Sequence, residues 1–230
     1  MPIAVFACFL VGLIIDIVIL RQATKVGGVG RVMITVGLIM LMQALIPMVF
    51  GILPYRWPRF FTERIEWTMF GTRFMVTQNG LFSLILSLVV VGLIFVLLHA
   101  TKWGLGVRST ASNPEVASLL GVNTSNIMSL SWAISSACGA LSAILYASQT
   151  TEFTISLMGL IQINSLLAFI LGGRTTFYGP IVSALLIVIV RSVVQNFSGI
   201  WAGAVVYAVI LLIIMFKPAG LFGRQTVKKV

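Results

Sequence analysis

The chain has 230 residues, of which 59% are hydrophobic and 9% are charged, and its formal net charge is +10. A soluble domain carries roughly 25% charged residues, so this composition excludes a soluble globular fold. The positive charge does not point to nucleic acid as a partner, because Lys and Arg collect in the cytoplasmic loops of membrane proteins.

Seven apolar segments follow one another along the chain and predict membrane helices. A spanning helix needs about 20 mostly apolar residues, and the first four segments are long enough. The last three are shorter and carry Gly, Asn or Arg, which predicts tilted, broken or re-entrant segments. The segments are Ile3–Leu20, Val32–Leu53, Gly80–Leu98, Ile127–Ala147, Ile155–Leu171, Pro180–Val194 and Ile200–Phe216. We predict an all-α fold, a polytopic transmembrane helical bundle of six to seven segments in a single domain, residues 1–230.

Two charged side chains fall inside these segments. Asp16 lies near the inner end of the first segment, where two interpretations stay open. It is either a buried functional charge or a helix-end residue that pairs with Arg21 or with a neighbouring helix. Arg191 lies near the outer end of its segment, where its long side chain reaches the interface. Since the two charges are predicted at opposite membrane faces, we do not pair them.

The distribution of basic residues predicts the orientation of the chain. With the N-terminus outside, ten Lys and Arg residues fall in the inner loops and four in the outer loops. This bias follows the positive-inside rule and predicts a cytoplasmic C-terminus.

The long outer loop, residues 54–79, is amphipathic and rich in aromatic residues. Its Trp and Phe side chains suit an interfacial anchor, since aromatic rings with polar edges collect at the membrane surface. The alternative is a short hairpin over RIEWTMFGTRFMV, with Gly71 in its turn.

The longest polar stretch on the predicted inner side is Thr101–Asn126, and it carries the signals of one short helix. Asn113 is a good N-cap and Pro114 suits the first helical position. Glu115 lies in the first turn, where the helix dipole favours negative charge. Gly121 is a natural helix stop.

These signals predict a helix of about two turns, Pro114–Leu120. A helix this short is not stable alone in water, so another surface must pack against it. Its apolar residues Val116, Leu119 and Leu120 form one small face.

Uncharged polar residues and glycines mark a candidate path for a solute. Gln43, Gln162 and Asn164 lie in apolar segments, where they either line the path or form interhelical hydrogen bonds worth about 0.6–2 kcal/mol each. Gly172 and Gly173 begin the break between two segments, which is a plain turn or the mouth of a broken helix.

No catalytic or metal-binding constellation is visible. The chain has one His, His99, and lacks the H-E-x-x-H, G-x-S-x-G and P-loop motifs. We therefore predict no catalytic residues, no metal and no cofactor, and any ATP hydrolysis must take place in a separate subunit.

Four stretches together resemble the permease subunits of bacterial ABC importers for branched-chain amino acids. They cover nearly the whole chain, in order. The stretches are GLIIDIVILRQATKVGG followed by MITVGLIMLMQ, GLGVRSTASNPEVASLLGVNTSNIMSLSWAISSACGALSAILYA, LAFILGGRTTFYGPIVSALLIVIVRSV, and MFKPAGLFGRQTVKKV.

The resemblance implies partners and a coupling site. Such a permease lies in lipid of the bacterial inner membrane, beside a second homologous permease, with cytoplasmic ABC ATPase subunits beneath it and an extracytoplasmic solute-binding protein above. These permeases touch their ATPases through a short helix often marked E-A-A-x-x-x-G, and residues 101–126 would form this coupling loop. Glu115, Ala117 and Gly121 match the spacing, while Val116 replaces the first Ala. The implied ATPase-coupling residues are Asn113, Pro114, Glu115, Ala117, Leu120 and Gly121.

The resemblance leaves several functions open. Family members usually have further membrane sequence before the position of Met1, so we expect an N-terminally truncated gene product, a mispredicted start or a divergent short form. Related permeases serve urea, amides and other small solutes and share the same pattern. A passive channel, a secondary carrier and an inactive truncated permease would also have a sequence of this kind.

Overall fold

The computed structural model describes the chain as two compact units, Met1–Ile155 and Ser156–Val230. Both units consist mainly of helices, and each of the seven predicted apolar segments forms one. The described residues are 1–25, 28–69, 72–173, 176–217 and 220–223.

Among its described residues, the first unit contains four apolar helices and two shorter polar ones. The apolar helices are α1 (Pro2–Ile15), α2 (Gly28–Phe50), α3 (Gln78–Ala100) and α6 (Thr124–Thr150); the polar ones are α4 (Lys102–Ser112) and α5 (Pro114–Leu119). A π-helical turn, Asp16–Leu20, extends α1, and a 3₁₀ turn, Gln22–Lys25, follows it.

In the described part of the second unit, three helices pack around an aliphatic core. They are α7 (Gly159–Gly172), α8 (Gly179–Ser198) and α9 (Ala202–Phe216). The core consists of Ala168, Leu171, Ile187, Val206 and Ile210. Burying such side chains in one cluster holds the three helices together.

Five helices of the described chain are long and apolar enough to cross a membrane. The spans are Pro2–Leu20, Val32–Phe50, Gln78–Ala100, Thr124–Thr150 and Gly179–Phe197, with mean hydropathies between 1.5 and 3.1. Two apolar helices are shorter, Ile161–Gly172 and Gly203–Phe216. The prediction of three short final segments is therefore wrong for one of them. The predicted segment Pro180–Val194 ended before the polar residues Gln195 and Asn196, whereas α8 continues through both of them.

Close backbone approach joins α1 to α6. Gly12 is buried, and a Cβ atom placed there would lie 2.7 Å from Ser136 Cβ and 2.9 Å from the carbonyl oxygen of Trp132. Small residues allow helices to approach this closely, and in lipid such packing replaces the hydrophobic driving force between helices.

Amide and hydroxyl groups join α3 to α6, one of them fully buried. Asn79 is fully buried and its Nδ2 donates to the carbonyl oxygen of Ser148 at 2.9 Å. Gln149 Nε2 donates to Ser83 Oγ at 3.0 Å. Hydrogen bonds of this kind stabilise contacts between membrane helices by about 1 kcal/mol each.

The strands of the described residues lie in the loops at one end of α3 and α6. The hairpin alternative for the long loop is confirmed, because β2 (Arg64–Met69) pairs antiparallel with β3 (Thr72–Thr77). Gly71, predicted in its turn, lies outside the described residues. A second small pair joins β1 (Tyr55–Arg56) to β4 (Glu152–Phe153).

Candidate functional site

The two polar helices α4 and α5 connect α3 to α6, and one residue joins them. Asn113 is both the C-cap of α4 and the N-cap of α5. Its Oδ1 accepts hydrogen bonds from the backbone N–H groups of Glu115, at 3.0 Å, and Val116, at 3.2 Å. This arrangement confirms the predicted N-cap and satisfies two of the amides that a helix start leaves unpaired.

A glycine turn ends α5. Gly121 has φ +83°, in the left-handed region that other residues adopt only with strain. The N–H of Val122 donates to the carbonyl oxygen of Ala117 at 3.0 Å, which closes the turn as in a Schellman motif. The predicted stop is confirmed, and the helix itself ends at Leu119, one residue earlier than predicted.

The side chains of α5 divide into one buried and several exposed positions. Ala117 is only 2% exposed, so the helix rests on its own chain through this small residue. Leu119 and Leu120 are 86% and 77% exposed, and Val116 is also exposed. The apolar face predicted to pack on another surface is thus uncovered within the chain. Two caps and the contact at Ala117 hold these leucines at the tip of a polar loop.

The polar candidates for a solute path lie in different surroundings. Gln43, in the first unit, and Gln162, in the second, are exposed on α2 and α7. Asn164 is half-buried, and its Oδ1 accepts a hydrogen bond from the hydroxyl of Tyr207 at 3.0 Å. This contact joins α7 to α9, as the interhelical alternative expects.

The glycine candidates lie where α7 meets α8. Both are buried, and a Cβ atom at Gly172 would lie 2.5 Å from the carbonyl oxygen of Gly179. Gly173 has φ +94° and its N–H donates to the carbonyl oxygen of Phe169 at 3.2 Å. Gly173 thus caps α7 with a backbone conformation that favours glycine, whereas close backbone packing explains Gly172. Arg174, next in the sequence, lies outside the described residues.

The two intramembrane charges have opposite exposures. Arg191 is exposed on α8 in the second unit. Asp16, in the first unit, is 4% exposed, and Ser129 Oγ of α6 donates to its Oδ2 at 2.5 Å. A charge of this kind costs about 2.5–3.5 kcal/mol on membrane insertion scales, so a polar partner on a neighbouring helix stabilises it. Contact with a neighbouring helix is what the pairing interpretation expects, and it also fixes the carboxylate in place, as a functional charge requires.

Sequence reasoning missed a cleft beside Asp16. The cleft has a volume of about 200 Å³ and lies between the end of α1, α2 and the start of α6. Its walls are Asp16, Leu20, Arg21, Thr35, Thr124, Ser125, Met128 and Trp132. Four of them, Thr124, Ser125, Met128 and Trp132, come from the first turns of α6. The predicted segment began at Ile127, so Thr124 and Ser125 were assigned to the loop, and no local pattern brings them to Asp16.

A family model matches most of the chain. It is described as the permease component of the branched-chain amino acid transport system and matches residues 1–215. No solved structure matches the chain significantly.

Similar proteins carry names from the same transport systems. One is the high-affinity branched-chain amino acid transport system permease protein BraD of Pseudomonas aeruginosa, 28% identical over 131 residues, which cover 56% of this chain and 43% of that protein. The permease protein LivH of Escherichia coli K12 is 24% identical over 136 residues, 59% of this chain and 44% of that protein. A probable LivH of Methanocaldococcus jannaschii is 28% identical over 174 residues, which cover 72% of this chain and 53% of that protein. The chain spans about half the length of the curated relatives it matches.

Proposed function

Since the chain belongs to the permease component family of branched-chain amino acid transport systems, we propose that it is the membrane-spanning subunit of an ATP-driven importer. The membrane is the bacterial inner, or plasma, membrane, and both units act as one permease domain. The five long apolar helices support a membrane-spanning role, and the names of the relatives support amino acids over urea or amides as cargo. The subunit performs no covalent chemistry, and ATP is hydrolysed in a partner.

The observation that carries this proposal is the exposed pair Leu119 and Leu120. Isolated apolar side chains on a surface need no explanation, but here two adjacent leucines are held on a capped helix inside a polar loop. Burying a leucine side chain is worth about 1.5–3 kcal/mol, so a groove on a cytoplasmic ATPase subunit gains affinity by covering them. The caps organise α5 before binding, which lowers the entropic cost of docking.

The orientation and the remaining partners complete the proposal. The positive-inside bias supports a cytoplasmic α4–α5 loop and a cytoplasmic C-terminus. The hairpin of β2 and β3 then lies outside, where a solute-binding protein docks. Lipid and a second homologous permease cover the exposed apolar faces of the helices. Gln43, Gln162 and Asn164, with Gly172 and Gly173, remain the candidates for the solute path.

Replacing Leu119 and Leu120 together by serine is expected to weaken co-purification with the ATPase subunit at least tenfold. Uptake of labelled leucine by cells should fall to a similar extent. The physical reason is the loss of two exposed apolar anchors, while the chain's own packing through Ala117 is unchanged. Pull-down from detergent extracts and uptake assays measure the two effects.

The matched control replaces the same two leucines by methionine. This change keeps the apolar volume, so association and uptake should stay within about threefold of the unaltered protein. Equal amounts of both variants in the membrane fraction show that insertion is intact. Unchanged association of the serine variant would contradict the coupling role. Uptake that continues in cells without any ATPase partner would instead favour a channel or secondary carrier.

A further inference from the structure

The end of the first helix contains a local change of helical geometry. The N–H of Arg21 donates to the carbonyl oxygen of Asp16, five residues earlier, at 2.7 Å. In a regular α-helix, residues five apart lie about 140° apart around the axis. A turn closed by an i→i+5 hydrogen bond is wider and makes this angle smaller, so residue i+5 lies closer to the face of residue i. Such π-turns occur frequently at functional sites.

This turn explains why an acid and a base line the same cleft. Asp16 and Arg21 both contribute to its wall, although one is buried and the other exposed. The hydrogen bond from Ser129 uses one oxygen of the Asp16 carboxylate and fixes its position on the wall. An acidic and a basic residue therefore line the same small volume.

The rest of the lining is also divided by chemistry. Thr35, Thr124 and Ser125 contribute hydroxyl-bearing side chains, whereas Leu20, Met128 and Trp132 contribute apolar surface. The volume of about 200 Å³ lies below the range of about 300–1,000 Å³ for pockets that hold drug-sized ligands. It suits a solute of a few heavy atoms with a polar head and an apolar tail.

We propose that this cleft binds the head group of a zwitterionic amino acid, with the ammonium group at Asp16 and the carboxylate at Arg21. The hydroxyl side chains complete the hydrogen bonding of the head group, and the aliphatic side chain of the ligand lies against the apolar wall. A free anion would be repelled by Asp16 and a free cation by Arg21. The inference rests on the proposed import function and adds a binding site to it.

The test measures equilibrium binding of radiolabelled L-leucine to the purified full chain in lipid nanodiscs. We expect the isosteric change Asp16→Asn to weaken leucine binding at least tenfold, because it removes the charge and keeps an oxygen that accepts from Ser129. The matched control Glu152→Gln makes the same change on β4, outside the cleft lining, and should leave the affinity within twofold.

Competitors separate recognition of charge from loss of structure. Two competitors each lack one charged group of leucine: 4-methylpentanoate lacks the ammonium group, and 3-methylbutylamine lacks the carboxylate. To displace labelled leucine from the unaltered chain, each should need a concentration at least tenfold higher than unlabelled leucine needs. The variant Arg21→Gln changes an exposed side chain. In this variant, 3-methylbutylamine and unlabelled leucine should displace labelled leucine at similar concentrations. A variant that merely unfolded would lose binding of all three ligands together.

Equal leucine affinity of the unaltered chain and Asp16→Asn would overturn the proposal. So would an unaltered chain that binds no leucine, or one that binds the three ligands equally well. The proposed import function fails by a different result, uptake without an ATPase partner, and that result would leave these affinity ratios unchanged.

Discussion

Replacing Gly172 by valine is expected to prevent stable folding of the second unit. A Cβ atom at this position would overlap the backbone of Gly179 and Pro180, where α8 begins. Because backbone atoms cannot swing aside as a side chain does, α7 and α8 must separate. Overpacking in a core typically costs about 1–3 kcal/mol, and we expect this change to lie at or above the upper end.

The measurement is the midpoint of SDS-induced unfolding in mild detergent, followed by circular dichroism, with the monodisperse fraction on gel filtration. The matched control is Gly203→Val in α9, since nothing lies within 4 Å of a Cβ atom built there. Both changes put the same β-branched residue into an apolar helix of the same unit. Equal midpoints for the two variants would show that the α7–α8 contact does not limit stability.

Replacing Gly12 by valine is expected to separate α1 from α6 and to abolish leucine binding in the cleft. The new side chain would press on Ser136 and on the carbonyl oxygen of Trp132. Rotation of the Ser136 hydroxyl relieves only part of the overlap, so we expect a loss of about 1–3 kcal/mol in stability. The contact between Asp16 and Ser129 lies about one turn further along the same interface, and it opens when the helices move apart.

Hydrogen–deuterium exchange of α1 and α6 measures this separation directly, and leucine binding measures its consequence. Gly37→Val in α2 is the control, because a Cβ atom at Gly37 meets nothing within 4 Å. If Gly12→Val exchanges no faster than Gly37→Val and binds leucine normally, the α1–α6 contact does not support the cleft.

Features that depend on neighbouring residues in the chain could be predicted from the sequence. The apolar segments could be located because a membrane requires long apolar runs with satisfied backbones. The caps of α5 could be predicted because Asn113 and Gly121 act on residues two to four positions away. The end of α8 could not be predicted from the sequence. Gln195 and Asn196 are polar residues typical of a helix end, but α8 continues through them.

Features that depend on distant residues could not be predicted. The cleft joins residues from α1, α2 and α6, and the contact between Asp16 and Ser129 spans 113 positions. The division of α5 into a buried Ala117 and an exposed leucine pair depends on where α4 and α6 lie. Nor does any local pattern distinguish a π-turn from an α-helix in the apolar run after Asp16.

The π-turn after Asp16 has a consequence for comparing homologous sequences. A turn of this kind contains one residue more than an α-helix needs for the same contacts on either side. A homologue with a regular helix here would align with a gap of one residue between the positions of Asp16 and Arg21. The base of that homologue would then stand four residues after the acid, a spacing that keeps both on one face of a regular helix. A homologue with a regular helix and no gap would instead place its base about 140° around the axis from the acid, away from the cleft.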